Sequence, residues 1–258
     1  MKNAYSIRPI NTGFQVLDKG LYATFRDGIG TKIEHPVFAF LIEGAGKRIL
    51  VDTGMSSTYR SQKYHHEGSQ NKGQAIHDQL KKINVHPDTI EMIIFTHLHW
   101  DHCSNMKEFK NAEYYCSDVE YEFAMNPIPP YWVSYEHPSA GLTPSFKGCE
   151  FDLVHGEQEI VSGISVLPTP GHSPGHISVA VNTIKGSYVI VGDLFFVREN
   201  LLPNQKNGWP MTPVGRFCNL IDLWHSMELV VSHADYILMT HDPTQLEVKV
   251  YPSSNEGK

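Results

Sequence analysis

The sequence predicts a layered α/β fold, and three observations carry that prediction. Its 258 residues are 41% hydrophobic and 19% charged, a balance typical of a globular protein with a sizeable core. Short apolar runs typical of strands recur along the chain, and segments with helical spacing lie between them. Several runs lead into a histidine or an aspartate, as in α/β folds that build sites beyond strand ends. We expect one domain over residues 1–258.

Two strands are predicted near the beginning of the chain. Residues 37–42 form a continuous apolar run, which favours a buried strand, and residues 48–51 favour a second strand that ends at Asp52. Residues 43–47 between them contain two glycines, which predicts a turn.

Two segments have the spacing of amphipathic helices. Apolar side chains recur at helical intervals over residues 76–83, and Pro87 marks the stop beyond them. Residues 217–229 carry a longer apolar stripe, which predicts a late helix packed on the core.

Residues 126–148 have no clear periodicity. They contain five prolines and four aromatic residues. We interpret them as a long loop that forms a lid or a pocket wall, and an aromatic surface excursion packed on the core is the other interpretation.

Four further apolar runs each lead into a residue type that binds metals. The runs and the residues that follow them are 91–96 before His97, 165–167 before His172, 188–191 before Asp193 and 236–239 before His241.

The strongest functional signal is the segment His97-Leu-His-Trp-Asp-His102, which places four metal-ligand residue types within six positions. Imidazole nitrogen and carboxylate oxygen are ligands that Zn²⁺ accepts. Because alternate residues of an irregular loop can face opposite sides, His97 and His99 fit one ion, and Asp101 and His102 fit a second. The remaining ligands must come from the other strand ends.

These motifs resemble the metallo-β-lactamase superfamily and, within it, the N-acyl-homoserine-lactonase-like branch. The matching positions span about residues 37–242 in the family's order: Asp52 in Val-Asp-Thr-Gly, His97, His99, Asp101 and His102, His172 in Thr-Pro-Gly-His-Ser-Pro-Gly-His, Asp193 in Val-Gly-Asp and His241 in Met-Thr-His. The resemblance implies a four-layer αββα sandwich with the metals at one edge.

The resemblance also implies a dinuclear centre. Its first metal is bound by His97, His99 and His172, its second by Asp101, His102 and His241, and Asp193 bridges both. Zinc is favoured because di-iron relatives alter the acidic and histidine pattern around the position of His102, and manganese, iron and cobalt stay open. We expect Asp52 to orient a histidine or to form a turn, and His176 to hydrogen-bond locally.

The resemblance implies a hydrolase that uses two zinc ions per chain to open a lactone, with N-acyl homoserine lactones as the leading substrates, which is the chemistry of quorum quenching. A metal-bound hydroxide would attack the ester carbonyl, and Asp101 would orient the nucleophile or carry its proton. Lactonases of this branch usually carry a tyrosine three residues after the bridging aspartate, where this chain has Phe196. Three explanations stay open: another residue donates the hydrogen bond of that hydroxyl, the metals activate the substrate without it, or the substrate is not an N-acyl homoserine lactone. Candidate donors are Tyr131, Tyr135 and His137.

Two other functions stay open. The same site can hydrolyse a thioester or another small ester, or the protein can be a metal-containing binding or signalling module. The formal net charge is −7 and no Lys/Arg run occurs, so nucleic-acid binding is not expected. That charge fits ordinary solubility or a neutral or cationic substrate.

The location is predicted from absent signals. No export signal and no run of about 18 apolar residues is visible, so we expect a cytoplasmic protein without membrane contact. The four cysteines are expected to be reduced. A homodimer is possible by analogy with similar lactonases.

Overall fold

Two β-sheets form the centre of the molecule. The computed structural model describes residues 5–253, so the ends of the predicted domain, 1–4 and 254–258, lie outside the described residues. Within that range the first sheet has the order β4-β1-β2-β3-β5-β6-β7. Its strands are β1 (Ser6–Asp18), β2 (Lys32–Gly44), β3 (Lys47–Val51), β4 (Glu67–Ser69), β5 (Met92–Ile94), β6 (Glu113–Ser117) and β7 (Asp152–Val154).

The second sheet has the order β12-β11-β10-β9-β8. Its strands are β8 (Gln158–Val161), β9 (Ile164–Pro168), β10 (Ile177–Thr183), β11 (Gly186–Ile190) and β12 (Tyr236–Leu238). The helices of the described chain are α1 (Thr58–Tyr64), α2 (Ile76–Lys82), α3 (Trp100–Cys103), α4 (Asp118–Met125) and α5 (Leu220–His233).

Strand β2 shows why the sheets are stacked between helices. Phe38, Phe40 and Ile42 pack between the two sheets, while Ala39 and Leu41 pack on the opposite face with residues of α2 and α4. Side chains alternate across a strand, so a strand covered on both faces is apolar at every position.

The outer face of the second sheet is covered by α5. Val189 and Val191 pack against Leu223 and Met227 of that helix. Together with the helices outside the first sheet, this gives four layers, and the predicted αββα sandwich is confirmed.

The predicted elements are present with shifted ends. The segment 91–96 is a strand only over Met92–Ile94, because the Thr96 N–H donates to Asp52 Oδ1 instead of a neighbouring strand. The late helix begins after Asn219, whose side chain accepts from the N–H groups of Ile221 and Asp222.

The strand pairing gathers the loops that carry the site. Strand β5 lies parallel beside β3, and β12 lies parallel beside β11. Parallel neighbours end at the same edge, so the loops after these four strands leave the sandwich together. No helix among residues 5–253 is long and apolar enough to cross a membrane.

Candidate metal centre

The first cluster of ligand atoms consists of three imidazole nitrogens and a carboxylate. His99 Nδ1 lies 3.0 Å from His97 Nε2 and 3.0 Å from His172 Nε2. Asp193 Oδ2 lies 3.2 Å from His172 Nε2 and 3.9 Å from His97 Nε2. All four residues are buried, and one ligand atom of each lies within 4.8 Å of the others.

The second cluster brings together Asp101, His102 and His241, which are also buried. His102 Nε2 lies 4.0 Å from Asp101 Oδ1, and His241 Nε2 lies 3.9 Å from Asp101 Oδ2. The other oxygen of Asp193 faces this cluster, with Oδ1 3.1 Å from His102 Nε2 and 3.2 Å from His241 Nε2. The Asp193 carboxylate therefore contacts both clusters, with one oxygen facing each.

The hydrogen bonds around the rings test whether these atoms suit a metal. In three histidines the nitrogen turned away from the cluster reaches an acceptor: His102 Nδ1–Asp52 Oδ2 at 2.7 Å, His172 Nδ1–Arg216 O at 2.9 Å and His241 Nδ1–Pro36 O at 2.9 Å. Donation from Nδ1 leaves the lone pair of Nε2 directed into the cluster. Within residues 5–253, His102 Nε2, His241 Nε2 and Asp193 Oδ1 are buried without a hydrogen-bond partner. The donor set fits metal ions.

Electrostatics differ between the clusters. Burial lowers the pKa of His97 and His99 well below the ordinary value, so both rings are neutral, the form in which imidazole can bind a metal. Burial alone would also lower the pKa of His102, but Asp193 and two further carboxylates raise it well above. Burial would raise the pKa of Asp193, but the charges of His102, His241 and His172 hold it well below its usual range. The second cluster thus stabilises positive charge, which a divalent cation requires.

Asp52 directly follows strand β3 and contacts His102 of the second cluster, which agrees with the expectation that it orients a histidine. Besides accepting from His102 Nδ1, its carboxylate accepts from Thr96 N and Thr96 Oγ1, both at 2.8 Å. His176 hydrogen-bonds locally, as predicted. Its Nδ1 contacts Thr169, and its Nε2 accepts from the Asp193 N–H at 3.2 Å.

Glu120 of α4 is a residue that the sequence reasoning missed. Its fully buried carboxylate accepts from Leu98 N at 3.0 Å, Tyr135 Oη at 2.8 Å and Ser173 Oγ at 2.6 Å. Burial raises the pKa of Glu120 above its ordinary value. Leu98 lies between two histidines of the first cluster, and Ser173 follows the third, so one carboxylate ties together the two loops that supply them.

A cavity of about 180 Å³ opens beside the clusters. Its wall includes Pro130, Val133 and Ser134 of the loop 126–148, which agrees with the interpretation of that loop as a pocket wall. The other wall residues outside the two clusters are Gln15, Leu17, Tyr22, His65, His66, Trp100, Phe196 and Arg216.

The three donors suggested from the sequence do not present their polar groups to the cavity, although the Tyr135 ring packs 4.7 Å from the His99 ring. None of them lines the cavity. The Tyr131 hydroxyl donates to Phe217 O, the Tyr135 hydroxyl donates to Glu120, and His137 Nδ1 accepts from Ser139 N. Cys103 is buried outside the wall.

Comparisons with known proteins agree with this geometry. The family described as metallo-beta-lactamase superfamily matches residues 33–241. An N-acyl homoserine lactonase of a Bacillus species is 27% identical over 234 residues, which cover 86% of this chain and 88% of that protein. One from Bacillus thuringiensis is 30% identical over 181 residues, 66% of this chain and 68% of that protein. The structure of a quorum-quenching N-acyl homoserine lactone hydrolase has a TM-score of 0.75 at 26% identity, covering 98% of both chains.

Proposed function

The chain belongs to the metallo-β-lactamase superfamily, in its N-acyl-homoserine-lactonase-like branch, and we propose that it is a dinuclear zinc hydrolase that opens a lactone ring. The observation that carries the proposal is Asp193, whose two oxygens face two separate clusters of ligand atoms. The names of its relatives support lactones as the substrate class, with N-acyl homoserine lactones first.

Seven residues would hold the metals. The first ion is assigned to His97, His99 and His172, the second to Asp101, His102 and His241, and Asp193 belongs to both. Zinc suits a donor set of imidazole and carboxylate without sulfur, and manganese, iron and cobalt fit the same atoms. When bound, two such ions lower the pKa of a shared water and polarise an ester carbonyl.

Asp101 is the catalytic residue of this proposal. Its side chain lines the cavity, and Gln15 Nε2 donates to its Oδ2 at 2.7 Å, which fixes the orientation of the carboxylate. Asp101 accepts the proton of the attacking water and passes it to the ring oxygen when the acyl C–O bond breaks. One water is consumed: one of its protons ends on the product alcohol, and the other is released to solvent when the new acid group ionises to a carboxylate.

Tyr22 is our candidate for the hydroxyl missing at Phe196. Among the described residues that line the cavity it is the only tyrosine, and its ring packs edge-on against His66 at 5.0 Å. A phenol in this wall can donate to the substrate carbonyl or to the leaving oxygen.

A panel of lactones with varied acyl length and ring size tests the proposal. Acid release is measured with zinc-loaded protein and with Asp101→Asn as the control. We expect rapid hydrolysis of at least one lactone and loss of at least about 100-fold in the variant. If no lactone reacts while two metals are bound per chain, the lactonase proposal is wrong. Thiol release from thioesters then tests the alternative hydrolase.

A further inference from the structure

One arginine sets the cavity wall apart from the rest of this acidic chain. Arg216 is the only lysine or arginine among the described residues that line the cavity. Its main-chain oxygen accepts a hydrogen bond from His172 Nδ1 at 2.9 Å. The backbone of Arg216 is therefore tied to a residue of the first cluster, and its side chain starts from a fixed position beside the site.

The guanidinium group is held by uncharged neighbours. Its Nη2 donates to Ser134 Oγ at 2.9 Å, and its central carbon lies 5.1 Å from the centre of the Tyr131 ring. Arg60 is different, because two of its nitrogens each contact a Glu136 oxygen at 2.6 Å. Within residues 5–253, Arg216 makes no ion pair. The two carboxylates that also line the cavity, Asp101 and Asp193, belong to the clusters assigned to the metals, which leaves the guanidinium free to meet a charge on the substrate.

The size of the cavity restricts the substrate. Its volume of about 180 Å³ lies below the roughly 300–1,000 Å³ typical of pockets for drug-sized ligands. Besides Arg216, the wall offers polar groups of Gln15, His66 and Ser134. The wall is also apolar at Leu17, Val133 and Phe196, so it is the small volume that favours a short substrate over a long acyl chain.

We propose that Arg216 binds a carboxylate of the substrate, so that the preferred substrates are short lactones or esters with a free acid group. This inference rests on the proposed hydrolase function and names its substrate class. A guanidinium fork matches the geometry of a carboxylate, and charge-assisted hydrogen bonds are stronger than neutral ones. The net charge of −7 does not decide the matter, because the charge at the cavity is local.

Two lactones of equal shape test the proposal. N-glutaryl-homoserine lactone ends in a carboxylate, and N-(5-methylhexanoyl)-homoserine lactone ends in an isopropyl group of similar size. We expect wild-type kcat/KM to favour the acid by about 10-fold or more, and Arg216→Gln to reduce that ratio about 10- to 100-fold. Arg216→Lys should fall between them, because it keeps the charge and loses the fork.

Arg198→Gln is the matched control, because it removes the same charge from an exposed position outside the cavity. The acid-to-neutral ratio should stay at the wild-type value in this variant. A wild-type preference for the isopropyl compound, or an unchanged ratio in Arg216→Gln, overturns the role of Arg216.

Failure of the hydrolase proposal is distinguished by a binding measurement. If metal-loaded wild type hydrolyses neither compound, the lactonase function is wrong, and calorimetric titration with glutarate then decides the role of Arg216. A Kd weakened about 10-fold or more in Arg216→Gln, with unchanged metal content, supports the carboxylate site. Equal Kd values in wild type and Arg216→Gln contradict it.

Discussion

The two halves of the metal centre are held in place by different means. In the second half, Asp52 contacts the ligand His102 directly, and Gln15 contacts Asp101. In the first half, the direct partners are uncharged: His97 Nδ1 contacts Thr96 Oγ1, and His172 Nδ1 donates to Arg216 O. The carboxylate of this half, Glu120, contacts none of the three histidines and instead fixes the loops around them, through Leu98 and Ser173.

This difference predicts that substitutions of the supporting residues in the two halves will affect metal binding and stability differently. Loss of a direct partner frees one ring or carboxylate and should weaken one ion selectively. Loss of Glu120 loosens two loops at once and leaves several buried donors without an acceptor, so it should lower the stability of the fold together with the affinity for the first ion.

Asp52→Asn should have the largest effect on metal binding. The amide keeps one acceptor oxygen, so it cannot accept from Thr96 N, at Oδ1, and from His102 Nδ1, at Oδ2, together. We therefore expect affinity at the second position to fall about 10- to 100-fold while the first ion stays bound. Metal content after dialysis against a weak chelator measures this. Equal loss of both ions would show that the halves are not independent.

Glu120→Gln should lower the free energy of unfolding by about 1–3 kcal/mol, because a buried group that accepts three hydrogen bonds is replaced by a poorer acceptor. Urea unfolding measures the change, and metal titration should show weaker binding of the first ion. Glu122→Gln, at an exposed position of the same helix α4, is the control and should change neither quantity. If the two variants behave alike, Glu120 does not organise the first half.

Glu136 supports Trp100, the residue between His99 of the first half and Asp101 of the second. Its carboxylate accepts from Arg60 and lies 3.0 Å from His65 Nε2, and the His65 ring stacks on Trp100, which lies between His99 and Asp101 in sequence. Burial alone would raise the pKa of Glu136, but the hydrogen bonds from His65 and Arg60 hold it below its ordinary value of 4.5.

A group with a depressed pKa contributes stability above its unfolded pKa, and this contribution is lost as pH falls through the folded value. Glu136→Gln should therefore cost about 2–3 kcal/mol at neutral pH, reduced by the partial exposure of Arg60, and the difference from wild type should shrink below about pH 4.5. Urea unfolding at pH 7 and pH 4 tests this. A difference independent of pH would contradict the role of the ionised carboxylate.

Tyr22→Phe should have the smallest effect, on turnover and not on either half. We expect kcat to fall about 3- to 10-fold with metal content unchanged, since one hydrogen bond to the substrate is lost. Phe196→Tyr in the same background should restore part of the rate. An unaltered kcat in Tyr22→Phe would remove Tyr22 from the mechanism.

The seven residues that the structure brings into two clusters could be selected from the sequence, because four apolar runs lead into the segments that carry them and their order matches a family pattern. Their role as metal ligands stays a prediction. The four-layer sandwich could be predicted because those strands match a family pattern over most of the chain. The observed ends of helices and strands differ from the predicted ends by a few residues. Capping residues such as Asn219 and side-chain acceptors such as Asp52 determine where these elements begin and end.

The cavity wall could not be predicted in the same way. Glu120 is an ordinary helix residue in sequence, and Tyr22 and Arg216 reach the wall from segments without a motif, whereas Ser134 belongs to the loop 126–148 that we interpret as a lid or a pocket wall. Conversely, Tyr131 and Tyr135 have suitable chemistry and a suitable loop, but their hydroxyls are engaged by Phe217 and Glu120. The single domain, the homodimer and the cytoplasmic location stay predictions.

Anomalous diffraction from crystals of the zinc-loaded protein tests the central claim, two ions that share Asp193, most directly. We predict two peaks, each about 2.0–2.2 Å from its ligands and both in contact with Asp193. The ligand atoms should be His97 Nε2, His99 Nδ1 and His172 Nε2 for one ion, and an Asp101 oxygen, His102 Nε2 and His241 Nε2 for the other. A single peak, or a pair of ions that Asp193 does not join, would contradict it.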